Sequence, residues 1–129
     1  MLQQIQAAIR AGETTVLTEV LEDVTNARSG DLRRALRRRD KLVERVVKEA
    51  ARYIGLAVAH LVNQLHPQMV VLGGGLIEAL AEDMLGIIVA TATAQAQSGT
   101  MNGVKIRASL LGDNAAITGG AILAQRLTK

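Results

Sequence analysis

The segment from His66 to Leu76, HPQMVVLGGGL, constrains the fold of this chain more than any other part of it. Because proline lacks an amide hydrogen and disfavours a helical residue before it, the helical pattern ahead of the segment is predicted to end near His66. Met69–Leu72 is apolar on both faces, which is typical of a strand covered by helices on each side. Three glycines follow, Gly73, Gly74 and Gly75, at the position where open α/β sheets bind ligands. They fit either a ligand-binding loop or a tight turn with no ligand.

Apolar residues at steps of three and four predict helices over most of the remaining chain. Asp40 is predicted to cap the longest helix, and Gly55 inside that helix predicts close packing, since glycine costs about 1 kcal/mol relative to alanine there. The predicted helices are Leu2 to Ala11, a stretch after Thr14 or Thr15 that buries Leu17, Val20, Leu21 and Val24, then Leu32 to Leu36, Lys41 to about Leu65, Ile77 to about Ala94, and Ala115 to Leu127.

Residues Val104 to Ser109 alternate between apolar and polar, which predicts a second, half-covered strand. Two strands joined by one helix form a parallel βαβ unit, and the final helix extends it to βαβα. Because a free-standing sheet usually has three or more strands, we expect other polypeptide to supply the rest of the sheet. The predicted fold class is helix-rich α/β, a single domain over residues 1–129 with a helical part at about 1–65 and a βαβα part at about 66–129.

Composition argues against several classes of function. The chain contains no cysteine, so it has no disulfide framework and no thiolate metal site, and we expect a cytoplasmic protein. Its sequence has no apolar run near the roughly 20 residues that cross a bilayer, and we expect no membrane partner. Tyr53 is the single aromatic residue, which leaves almost nothing on which nucleic-acid bases can stack.

Positive charge is concentrated between Arg28 and Arg45, where eight basic residues face three acidic ones, while the whole chain carries a net charge of +3. Such a cluster can bind phosphate groups, but it is more often the solvated face of a helix. Its central members are Arg33, Arg34, Arg37, Arg38 and Arg39.

Two long stretches of the chain resemble the C-terminal half of the ROK family (repressors, uncharacterised reading frames and sugar kinases) of the actin-like ATPase superfamily. They are YIGLAVAHLVNQLHPQMVVLGGGL and VKIRASLLGDNAAITGGAIL, and ARSGD at Ala27–Asp31 is similar to a family segment that precedes the long helix. The resemblance runs from about Thr18 to Leu127 and depends on the order and spacing of the motifs. It implies a partial actin-like (ribonuclease H-like) fold, namely the C-terminal lobe.

The resemblance also implies a site, in which the glycine triplet lies beside the adenosine of ATP in an intact parent protein. ATP and Mg²⁺ are then cofactors of that parent, and we expect the chain alone to bind neither tightly. The family's phosphate loops, catalytic aspartate and sugar-binding zinc motif would all precede Met1, so we expect a C-terminal portion of a longer protein and assign no catalytic residue. His66-Pro67-Gln68 departs from the commoner Asn-Pro-Glu turn of the family.

The other polar candidates fit structural roles at least as well as chemical ones. Asp113 or Asn114 is predicted to cap the final helix, and neither histidine has the spacing of a metal ligand. Three acids follow the glycine triplet and could orient ribose hydroxyls or Mg²⁺, but such acids are more often simply solvated at the surface. The histidines are His60 and His66, and the three acids are Glu78, Glu82 and Asp83.

Three functions remain open at this point. The parent resembles an ATP-dependent hexose or amino-sugar kinase, glucokinase-like, that performs in-line phosphoryl transfer. Alternatively it resembles a ROK transcriptional repressor whose lobe senses a sugar and whose other domain binds DNA. A third possibility is an oligomerisation module formed by the long and final helices. We expect a homo-oligomer such as a homodimer, because an open strand edge and a small-residue helix offer contact surfaces.

Overall fold

The structure is a computed structural model that describes residues 1–109 and 112–128, apart from the side chains of Asp113 and Ala115. Helices and strands follow one another as α1 Leu2–Arg10, α2 Ser29–Arg37, α3 Lys41–Leu65, β1 Met69–Leu72, α4 Gly75–Gln95, β2 Lys105–Ala108 and α5 Ala115–Leu127. Short 3₁₀ turns occupy Val16–Glu19, Val24–Asn26 and Gly112–Asn114.

The segment between α1 and α2 is not the helix predicted from its apolar spacing. It forms two 3₁₀ turns, and the first begins at Thr15, whose hydroxyl accepts a hydrogen bond from the Leu17 amide at 3.2 Å. The same hydroxyl donates to Asp40 at 2.6 Å, and the second turn begins with a side-chain cap at Asp23. Because these side-chain bonds compete with helical hydrogen bonds, the segment stays irregular and Val20 is 64% exposed rather than buried.

Asp40 anchors the start of α3, as predicted. Its Oδ1 accepts from the Val43 amide at 3.0 Å, while Oδ2 accepts from the Val16 amide at 2.8 Å as well as from Thr15. Burial by itself raises the pKa of Asp40, but the hydrogen bonds from Thr15 and from neighbouring backbone amides outweigh that effect, so the pKa lies below its ordinary value. The ionised carboxylate therefore joins the N-terminal segment to the long helix.

The far end of α3 also follows the sequence prediction. The helix stops at Leu65, and His66 adopts a left-handed conformation with φ +46° immediately before Pro67. The apolar pattern that predicts this helix includes Leu61 and Leu65, but both side chains are exposed. The buried face of α3 at this end consists instead of Gly55, Val58, Ala59 and Val62.

Helices α3 and α4 pack along each other and carry much of the core. A β-carbon added at Gly55 would lie 2.6 Å from the Thr91 Cβ and 2.8 Å from the Ile88 carbonyl oxygen, which confirms the predicted close packing. The core is built from aliphatic side chains and methionine, as the near absence of aromatics requires. Its largest fully buried members are Ile5, Leu17, Leu32, Leu80, Met84, Ile88, Val43, Val47 and Val62.

Strands β1 and β2 form a parallel pair whose register begins with Met69 opposite Lys105. One face of the pair packs on the core through Val70 and Ile106. On the other face Met69 is 49% and Val71 is 59% exposed. The prediction that β1 is covered on both faces is therefore wrong for the described residues, because none of their helices packs on that outer face.

Helix α5 has the predicted bounds but lies on the outside of the molecule. Its apolar side chains are exposed, and within the described residues no atom lies within 4 Å of a β-carbon built at Gly119 or Gly120. The small-residue helix therefore makes no close contact at these two glycines within the part of the chain that the structure describes. The exposed apolar residues of α5 are Ile117, Ile122, Leu123 and Leu127. No helix in the part of the chain that the structure describes is long and apolar enough to span a bilayer.

Candidate functional site

A cleft of about 250 Å³ opens where the carboxyl end of β1 meets the N-termini of α2 and α4. The glycine triplet leads into it, and Gly75 forms part of its wall. Helix α4 begins at Gly75, two residues earlier than predicted, so the triplet provides both the turn and the first helical residue. The cleft is lined by Ser29, Gly30, Arg33, Gly75, Glu78 and Ala79.

Gly74 is required by the backbone itself. Its φ of +99° and ψ of 159° belong to a region that side-chain-bearing residues rarely adopt. Its carbonyl oxygen accepts a hydrogen bond from the Glu78 amide at 3.0 Å and so begins the hydrogen-bonding pattern of α4. The tight-turn interpretation therefore accounts fully for this glycine.

The same interpretation does not account for Gly73 and Gly75, since neither has a positive φ. A β-carbon at Gly73 would lie 3.7 Å from the Ser109 Cβ, and one at Gly75 would lie 3.9 Å from the Ser29 Oγ. Both distances are ordinary van der Waals contacts, so alanine would fit the fold at either position. At Gly75, which lines the cleft, the missing side chain leaves space that the turn does not require.

Glu78 is the acid of α4 that reaches the cleft. Its carboxylate lies against Gly112, where an added β-carbon would be 2.6 Å from Oε1, and Gly112 has a φ of +50°. Glu78 therefore packs the first turn of α4 against the 3₁₀ turn that follows β2. Glu82 is exposed and does not line the cleft, and Asp83 lines a different cavity.

The contribution of α2 to the cleft was missed by the sequence interpretation, which used Ala27–Asp31 for the family resemblance and not for a site. The Asp31 carboxylate accepts from the Arg28 amide at 2.8 Å and pairs with Arg34, which fixes the first turn of α2. The Arg28 amide and the Arg34 guanidinium lower the pKa of Asp31. The signal that could have found this wall is the ARSGD segment, whose Ser29 and Gly30 face the glycine triplet.

The five central arginines do not form a single phosphate site. All five are exposed, which confirms the solvated-face alternative for most of the cluster. Arg34 pairs with Asp31, and Arg38 pairs with Glu19 at 2.8 Å. Arg33 lines the cleft, whereas Arg39 lines a separate cavity at the other end of α2.

The remaining polar candidates are not gathered at the cleft. Among the described residues, His, Cys, Asp and Glu side chains form no group of three or more that could hold a metal ion. His60 is exposed on α3. Asn114 precedes α5 without making a side-chain cap bond, and the side chain of Asp113 lies outside the described residues.

The chain belongs to the ROK family, because the model of that family matches residues 7–127. Over 81 residues it is 35% identical to a glucokinase of Halalkalibacterium halodurans, a match that covers 63% of this chain and 24% of the glucokinase. Its fold is similar to the crystal structure of a ROK family transcriptional regulator, a homologue of the E. coli MLC protein. That similarity has a TM-score of 0.70 at 24% identity and covers 82% of this chain and 26% of the regulator. The chain thus spans about a quarter of the length of both relatives.

Proposed function

We propose that this chain is the C-terminal lobe of an ATP-dependent sugar kinase of the ROK type, with an actin-like fold, and that its cleft is the adenosine-side wall of the nucleotide site. One observation carries the proposal: Gly75 keeps the wall of the cleft free of a side chain although the backbone does not need glycine at that position. The 35% identity to a glucokinase supports a hexose or amino-sugar kinase among the functions of the family.

The chemistry of the cleft suits a nucleoside. The N-termini of α2 and α4 present backbone amides with partial positive charge, and Gly30 and Gly75 let a flat group approach the backbone. Glu78 offers carboxylate oxygens that can accept hydrogen bonds from ribose hydroxyls. The described residues supply no acidic cluster for Mg²⁺. The proposal therefore places Mg²⁺, the phosphates and the base that activates the sugar hydroxyl on residues outside this chain.

An NMR titration of the ¹⁵N-labelled chain with adenosine and ADP tests the proposal. We expect weak, saturable shifts at the amides of Gly30 and Gly73–Gly75, because only one wall of the site is present. The variant Gly75→Val should abolish these shifts by filling the cleft. The matched variant Gly86→Val adds the same side chain to the same helix in open space, so it should retain them. Shifts that survive Gly75→Val, or that arise only elsewhere, would contradict the nucleotide site.

A second function, the sugar-sensing lobe of a ROK transcriptional repressor, is favoured by the fold similarity to the regulator at a TM-score of 0.70. In that function the lobe needs no nucleotide, and DNA is bound by a separate domain of the parent. The same titration separates the two functions. Adenosine-dependent shifts at the triplet support the kinase, whereas their complete absence in the unmodified chain supports the regulator.

A further inference from the structure

A second cavity, of about 390 Å³, lies at the opposite end of α2, and none of its described lining residues lines the cleft. It is bounded by the corner between α2 and α3 and by the middle of α4. Three cationic side chains and two acidic ones line it, giving a net positive site. These charged residues are Arg39, Lys41, Lys48, Glu44 and Asp83.

The acidic residue on α3 does not neutralise this cavity fully. Glu44 is already engaged by both lysines, at 2.6 Å from the Lys48 Nζ and 3.2 Å from the Lys41 Nζ. Within the described residues Arg39 has no ion pair. Its guanidinium thus carries a positive charge without an ion-pair partner in a cavity that both lysines also line.

The backbone conformation of Arg39 is unusual for a residue with a long side chain. Arg39 has a φ of +58°, a left-handed conformation at the end of a helix where glycine or asparagine is the usual residue. The corner is held by hydrogen bonds from the Arg39 amide to Leu36 at 2.8 Å and from the Asp40 amide to Ala35 at 3.1 Å. A long cation kept at a position that favours glycine is a backbone outlier of the kind found at functional sites.

We propose that this cavity binds a small organic phosphate monoester. The planar Arg39 guanidinium can donate two parallel hydrogen bonds to phosphate oxygens, and the ammonium groups of Lys41 and Lys48 can donate further hydrogen bonds while they stay paired with Glu44. Leu36 and Val47 provide apolar wall for the organic part of the ligand. Asp83 on the α4 side repels a second phosphate, which favours a monoester over a polyanion. The site is independent of the nucleotide cleft.

Isothermal titration of the chain with glucose 6-phosphate, inorganic phosphate and glucose tests the proposal. We expect saturable binding of glucose 6-phosphate that weakens with added salt, weaker binding of inorganic phosphate, and none of glucose. The variant Arg39→Gly should lose about tenfold or more in affinity. Its melting temperature should not fall, since glycine accepts the left-handed backbone more readily. The control Arg37→Gln removes the same charge from the exposed side of α2 and should keep its affinity.

Several results would overturn the site. Absence of saturable glucose 6-phosphate binding at millimolar concentrations is one, and an equal loss of affinity in Arg37→Gln is another, because it would indicate a diffuse positive surface. A third is that inorganic phosphate binds as tightly as glucose 6-phosphate. Leu36 and Val47 would then contribute nothing to affinity, and the ligand would not be an organic phosphate. If Arg39→Gly melts at a lower temperature, the affinity of the variant Lys48→Gln for glucose 6-phosphate is measured instead. A reduced affinity supports the site, and an unchanged affinity overturns it.

Discussion

The helical part of the molecule before His66 and the βαβα part after it are stabilised in different ways. Within the described residues, the ion pairs all join positions between Glu13 and Lys48, and the two buried polar side chains, Thr15 and Asp40, bond to each other. The later part instead leaves apolar side chains exposed on the outer face of β1 and along α5: Met69, Val71, Ile117, Ile122, Leu123 and Leu127.

The difference shows which part of the molecule leaves apolar surface uncovered. Residues 1–65 hold the ion pairs of the described chain, and α3 buries its apolar face against α4. The sheet of β1 and β2 keeps an unpaired edge on each strand within the described residues, and its outer face has no cover. The βαβα part therefore presents the surfaces that a further lobe or a second copy can bury.

The largest expected effect lies at the contact that joins the two parts. Gly55→Ala should lower the free energy of unfolding by about 3 kcal/mol, because its β-carbon meets the Ile88 carbonyl and the Thr91 side chain and forces α3 and α4 apart. Urea unfolding followed by circular dichroism measures the change.

Gly86→Ala is the matched control for that experiment. It makes the same substitution inside a helix, but no atom lies within 4 Å of the added β-carbon in the described residues. It should therefore raise the stability by up to about 1 kcal/mol through helix propensity. Similar effects of the two substitutions would show that α3 and α4 are not in close contact.

The next effect tests the polar anchor of the first part. Asp40→Ala should cost about 2 kcal/mol at pH 7, because it removes the cap of α3 and the partner of the Thr15 hydroxyl. The folded-state pKa of Asp40 is lowered from 3.8, so its stabilisation is present above that pH and is lost as the pH falls through the folded pKa.

Urea unfolding at pH 7 and at successively lower pH, below 4, separates these contributions. The unmodified chain should lose stability as the pH falls, and Asp40→Ala should lose less over the same interval. An acid-induced loss of the same size in both proteins would refute the role of an ionised Asp40 and weaken the contrast between the two parts.

The smallest effect on folding is expected in the later part. Leu123→Gln should change the free energy of unfolding by less than about 0.5 kcal/mol, since the side chain is exposed on α5. The same substitution should reduce self-association in sedimentation velocity, because an exposed apolar face is available to a second copy. Gln125→Ala on the same helix should leave both properties unchanged. A strictly monomeric unmodified chain would refute the self-association, and a large loss of stability would refute an unpacked α5.

Local patterns in the sequence were sufficient to predict the structural elements whose bounds depend on neighbouring residues. Pro67 and Asp40 mark the ends of α3, and alternation of apolar and polar residues identifies β2. The 3₁₀ segment after α1 was mistaken for a helix because its conformation depends on the bond between Thr15 and Asp40, 25 residues apart. Likewise, no local pattern reveals whether another element covers the outer face of β1.

The candidate site was predictable in the same partial way. The position of the glycine triplet at the end of β1 followed from the apolar run before it. The wall formed by Ser29 and Gly30 depends on how α2 packs against α4, which no spacing along the chain encodes. The left-handed backbone of Arg39 could not be predicted from the sequence. The corner between α2 and α3 contains no glycine or asparagine to mark a left-handed residue, and the corner itself is recognised only once both helices are known.

The parallel pairing of β1 and β2 has a consequence for the order of folding. Helices α3 and α4 are separated only by β1 and its flanking turns, so their contact closes a short loop. Pairing β1 with β2 requires the chain to close over all of α4 and the loop after it, at a greater entropic cost. The helical hairpin is therefore expected to form first and the sheet last. In the native state, amide hydrogens of the strands should exchange with solvent sooner than those in the middle of α3.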